Sequence, residues 1–68
     1  MEYIYVDFRE TRRVLLDGTE AGDTNKTLKV QRGSYTVTLS GNLDYSPASQ
    51  DVTVAGTEED DPMHIEFT

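Results

Sequence analysis

The 68-residue chain is expected to fold as an all-β domain, a small sandwich of two antiparallel sheets with about six or seven short strands. Three observations lead there. Apolar residues alternate with polar ones in short runs along the whole chain, the period of a strand with one buried face. Glycines and an Asp-Gly pair stand at the ends of those runs, where tight turns need residues that tolerate positive φ. No window carries a 3.6-residue apolar period of useful length. Residues 1–68 are read as one domain, because a chain this short holds a single core and buries only about 60% of its unfolded surface.

The strands follow in order. Ile4, Val6 and Phe8 share a face, with Tyr3, Tyr5 and Asp7 on the other. The polar run from Arg9 to Arg12 connects to a second strand in which Val14 and Leu16 share a face, stopped by Asp17-Gly18. Gly22 is read as a further bend. Leu28 and Val30 flank Lys29 in a third strand that ends at Gly33. Tyr35, Val37 and Leu39 alternate with Thr36, Thr38 and Ser40 in the most regular run, closed by Gly41. Asn42 to Ser49 reads as a loop, since Pro47 cannot donate to a ladder. Val52 and Val54 form another strand, terminated by Gly56, and Met63, Ile65 and Phe67 alternate in the last. The inward set is therefore Ile4, Val6, Phe8, Val14, Leu16, Leu28, Val30, Tyr35, Val37, Leu39, Val52, Val54, Ile65 and Phe67. Each strand offers one apolar face, so two sheets must stack to hide them.

Charge narrows the partners. The net charge is −7, and all six basic residues (Arg9, Arg12, Arg13, Lys26, Lys29, Arg32) lie in the first 32 positions. The seven acids of residues 34–68 have no base among them. Nucleic-acid binding draws on lysines and arginines that replace counterions at phosphates, so this chain has the wrong sign for it. The same sign opposes docking on anionic lipid. No segment approaches the roughly 20 apolar residues that cross a bilayer as a helix, so membrane insertion is not expected. The absence of cysteine excludes disulfides and thiolate zinc sites. Glu2 and Asp7 in the first ten residues do not suit a secretory signal; a complete chain would on that ground be cytoplasmic.

With the strands placed, the chain resembles a PEGA domain, a small β-sandwich module of bacterial and archaeal proteins. The resemblance rests on Val14-x-Leu16-Asp17-Gly18, Gly22-x-Thr24, Leu28-x-Val30 and Gly33-x-Tyr35-x-Val37-x-Leu39, extended by Tyr45 and Val52-x-Val54. It covers residues 3–67 and implies a PEGA-like, immunoglobulin-like sandwich. It also implies a cell-envelope or surface-associated setting and an interaction or spacer role, since the family is not known for catalysis.

Few residues suggest chemistry. Tyr3 and Tyr5 on the outward face of the first strand, with Tyr45 in a loop, are aromatics able to stack on sugars or anchor a protein partner. Arg9, Arg12 and Arg13 form a small basic spot that either grips an acidic partner or pairs with the chain's own acids. Glu58 to Asp61 are four consecutive carboxylates before Pro62, without the alternate spacing and bend glycine of a calcium loop. His64 is expected to point outward beside Glu66, with no second ligand and no nucleophile singled out by spacing. The expected function is a non-enzymatic interaction module without cofactors, binding protein or polysaccharide as a monomer or weak edge-strand dimer. The alternative is a structural spacer from a larger surface protein.

Overall fold

The alternation becomes seven strands in a computed structural model that describes residues 1–68. They are β1 (Glu2–Asp7), β2 (Arg13–Leu16), β3 (Thr19–Asp23), β4 (Thr27–Val30), β5 (Gly33–Leu39), β6 (Gln50–Val54) and β7 (Met63–Glu66). One sheet has the order β4-β1-β7 and the other the order β3-β2-β5-β6. All neighbours run antiparallel except β1 and β7, which are parallel, with Ile4 opposite Met63 and Asp7 opposite Glu66. This departs from the wholly antiparallel expectation. A parallel pair needs a long crossover, and here the entire second sheet supplies it.

The β2–β3 hairpin is the local feature most fully set by its residues. Leu16 pairs with Thr19 across Asp17 and Gly18, whose φ values are +53° and +83°. A two-residue loop with both φ positive is the type I′ turn, whose twist matches that of the strands it joins. Gly22 is not a bend: it lies inside β3, opposite Val14. The segment Thr19–Asp23 has almost no apolar character, so it holds its place as an edge strand through the ladder to β2. At Gly22 φ is +152°, and a Cβ would stand 2.5 Å from Leu28 Cδ2. Glycine therefore lets the end of this hairpin lie against β4.

Between the sheets lie twelve buried apolar residues: Ile4, Val6, Phe8, Val14, Leu16, Leu28, Val30, Val37, Leu39, Val54, Ile65 and Phe67. All belong to the inward set read from the alternation. Its other two members, Tyr35 and Val52, are half-buried and pack against this core from one end. The radius of gyration, 10.8 Å, matches the roughly 11 Å expected for a compact chain of this length. The buried polar side chain is Thr24. Its hydroxyl accepts from Arg12 N at 2.9 Å and donates to Glu10 O at 2.8 Å, and Thr24 N donates to Arg12 O. It thereby ties the β1–β2 connection to the β3–β4 turn.

Candidate interaction surface

The residues singled out from the sequence divide into two groups with different partners. Tyr45 belongs to the scaffold. Its ring meets Phe8 and Phe67 edge-on, at centroid distances of 6.1 and 5.4 Å. Its hydroxyl donates to Leu39 O at 3.0 Å and accepts from Leu39 N at 3.2 Å. A loop tyrosine expected to face a partner is instead turned inward, because the loop folds over the open end of the sandwich and the ring completes the aromatic core there.

The three arginines are likewise engaged by their own chain. Arg12, with a side chain only 15% exposed, donates from Nη1 to the carbonyls of Ser40 and Asn42, both at 3.1 Å. Its Nη2 grips both carboxylate oxygens of Asp44 at 2.8 and 3.0 Å, and its Nε donates to Glu10. Hydrogen bonds to Asp44 and then to Glu10 raise the Arg12 pKa above its ordinary value. The reciprocal bond from Arg12 holds Asp44 below the usual carboxylate range. Arg9 pairs with Asp44 and lies over the Phe8 ring at 4.6 Å. Arg13 pairs across the hairpin with Glu20 and Asp23. Charge-assisted, bidentate contacts of the Arg12 type are the strong ones. They join residues 9–13 to the loop after β5.

Tyr3 and Tyr5 stand on the outer face of the β4-β1-β7 sheet. Register places Lys29 beside Tyr3, and Thr27 and His64 on either side of Tyr5. The Tyr5 and His64 rings lie 5.4 Å apart at 34°. His64 Nδ1 is 3.4 Å from Asp7 Oδ2, and the two side chains are 61% and 41% exposed. Asp7 is also the cross-strand neighbour of Glu66. The face thus presents a band of rings that ends in two adjacent carboxylates. His64 faces outward as expected, but its contacts with Tyr5 and Asp7 arise from the parallel β1–β7 pairing.

Beyond the other end of this face lies the acidic turn. Glu58 and Asp61 exchange backbone hydrogen bonds at 3.2 and 3.0 Å. Thr57 fastens the turn to the start of β1, since its hydroxyl accepts from Tyr3 N and donates to Glu2 Oε1, to which its N–H also donates. These bonds from Thr57, the side chain's first, lower the Glu2 pKa. No three His, Asp or Glu side chains gather as a metal site. On the opposite sheet, Asp17, Ser34, Thr36, Asp51 and Thr53 help line a shallow hollow of about 400 Å³. Its polar groups bond to one another: Thr36 Oγ1 donates to Asp51 at 2.8 Å, Thr36 N donates to Asp17 Oδ1, and Ser34 meets Thr53.

No curated protein and no solved structure matches this chain. The family model described as PEGA domain matches residues 8–64, which takes in β2 to β6, their turns and the first residues of β7. The chain belongs to the PEGA domain family.

Proposed function

We propose that this domain is a non-enzymatic interaction module that binds a protein or polysaccharide partner through the outer face of its β4-β1-β7 sheet, in a cell-envelope setting. The observation that carries the reading is the band of Tyr3, Tyr5 and His64 on that face. Tyr45 and the arginines Arg9, Arg12 and Arg13 are bound into the scaffold, whereas Tyr5 and His64 contact each other on the outer face, with Tyr3 beside them on β1. Amphipathic rings held on a rigid strand offer contact area at little cost in side-chain entropy. Family membership supports the setting, because such modules resemble parts of surface-associated proteins. The non-enzymatic part draws on the surroundings of His64. Its nearest side-chain partners are a carboxylate and a phenol ring, with no serine or threonine hydroxyl in hydrogen-bond contact to serve as a nucleophile.

The test compares immobilised wild-type domain with a Tyr3→Ser/Tyr5→Ser variant against soluble envelope glycans and envelope protein extracts. Retention of a component by wild type that the variant loses, with both proteins melting cooperatively, supports the interaction reading. Equal retention by both, or by neither, favours a spacer, the role that the self-satisfied polar groups of the opposite sheet would suit.

A further inference from the structure

We infer that the occupant of the β4-β1-β7 face is a basic, extended protein segment carrying lysine or arginine side chains. The inference rests on the interaction reading above and supplies the chemistry of its partner.

Rings and charges agree on this. The faces of Tyr3 and Tyr5 attract cations electrostatically, most of all the planar guanidinium. Asp7 and Glu66, at the end of the ring band, are cross-strand neighbours, and like charges placed so disfavour each other until a cation lies between them. Glu66 has no ion pair of its own, and Asp7 has only the 3.4 Å contact with His64. Beyond the other end, the turn Glu58-Glu59-Asp60-Asp61 is fastened to Glu2 and Tyr3 through Thr57. Against these carboxylates the face sets one lysine, Lys29. From Tyr3 to Asp7 is about 13 Å of strand, the reach of about four residues of an extended peptide. A segment lying along β1 would therefore bring alternate side chains over the rings and a cation onto the Asp7–Glu66 pair.

The competing occupants fit less well. A second copy carries the same −7 charge, so closing two such faces brings like charges together. An acidic polysaccharide meets the same repulsion. A neutral one would stack on the tyrosines but leave Asp7 and Glu66 to be desolvated without a counter-charge. None of the chain's own bases pairs with Asp7 or Glu66: Arg9, Arg12, Arg13 and Lys26 are paired with Asp44, Glu10, Glu20 and Asp23, Lys29 stands beside Tyr3, and Arg32 follows β4 near Glu2.

The experiment is an amide-resolved NMR titration of the domain with a flexible peptide alternating arginine and glycine. A glutamate–glycine peptide and a neutral soluble glucan serve as comparators. The arginine peptide is expected to shift the amides of Tyr3, Tyr5, Thr27, His64 and Glu66, with affinity that falls as salt shortens the Debye length. Tyr5→Ser is expected to weaken binding about threefold, the value of one exposed cation–π contact. Asp7→Asn/Glu66→Gln should weaken it further. A charge-matched control, Glu20→Gln/Asp51→Asn on the other sheet, should have less than half that effect. Equal loss in the two double variants would show a diffuse response to net charge and overturn the inference. Glucan shifts on the same amides, with none from the arginine peptide, would also overturn it while leaving the interaction face in place. Absence of any shift from the arginine peptide overturns the basic partner outright, whereas the ring variant above tests the interaction reading separately.

Discussion

Two regions of this molecule combine aromatic rings with charged side chains, and they use them in opposite ways. At the open end of the sandwich, Phe8, Tyr45 and Phe67 pack edge-to-face while Arg9 and Arg12 lie over Phe8 and bind carbonyls and carboxylates of the covering loop. On the outer face of the β4-β1-β7 sheet, Tyr3, Tyr5 and His64 have similar chemistry, but Tyr5 meets only His64, His64 meets Asp7, and Tyr3 stands beside Lys29. The first cluster consumes its polar groups internally. The second leaves its carboxylates and ring faces to the solvent. Residue type is thus a poor guide to a working surface in a domain this small; what separates scaffold from surface is whether the topology brings a second segment over the residue.

The largest expected break of this contrast is Tyr45→Ala. Removing a packed aromatic costs about 3 kcal/mol, which for a domain of this size lowers the melting temperature by on the order of 15 °C. Tyr45→Phe, which keeps the ring and loses both bonds to Leu39, should cost about 1 kcal/mol. Thermal melts by circular dichroism check both, and a Tyr45→Ala variant as stable as wild type would return Tyr45 to the surface group.

Thr24→Val comes next. It keeps the shape but strips partners from Arg12 N and Glu10 O, a cost of about 1–3 kcal/mol if those groups stay dry. Urea melts should show a lower midpoint with an unchanged slope, the mark of altered stability rather than altered compactness.

A smaller effect with a pH signature attaches to the two carboxylates held below their ordinary pKa. Glu2 is held down by Thr57 and Asp44 by Arg12, so each binds its proton less readily when folded than when unfolded. Their stabilisation is complete above the unfolded values, about 4.3 for Glu and 3.9 for Asp. It is lost as pH falls through the lower folded values. Glu2→Gln and Asp44→Asn should therefore melt below wild type at pH 7, and the gap should close toward pH 2.5. A gap that widens in acid would contradict the hydrogen-bond assignments.

The smallest effect sharpens the comparison from the other side. Tyr3→Ser and Tyr5→Ser on the outer face should change stability by less than about 1 kcal/mol each, the worth of cross-strand pairs. A loss as large as that of Tyr45→Ala would mean that the outer face is scaffold too.

Much of this was legible from spacing. All twelve core residues come from positions of period two, and Asp17-Gly18 makes the tight turn its residues require. The strand β3 was not legible, because Thr-Glu-Ala-Gly-Asp has no apolar face and is held by its backbone ladder and by ion pairs to Arg13. Nor was the role of Tyr45, since a tyrosine among Asn42, Asp44 and Ser46 gives no local sign of which way it turns. His64 could be placed outward, but its contact with Tyr5 depends on a pairing between residues nearly sixty positions apart.

Alternation is a local steric property of the chain, so amino-acid order was enough to settle that this protein is a two-layer β-sandwich, which residues fill it and where its tightest hairpin turns. Sheet order, the parallel closure of β7 on β1 and the folding of the loop after β5, with Tyr45 and its ties to Arg12, over the core are long-range choices. They are decided by which ladders and packed faces can form together in three dimensions. Those choices hid one aromatic cluster and left the other on the surface, so the outer face of β1 and β7 took shape only when the two ends of the chain met.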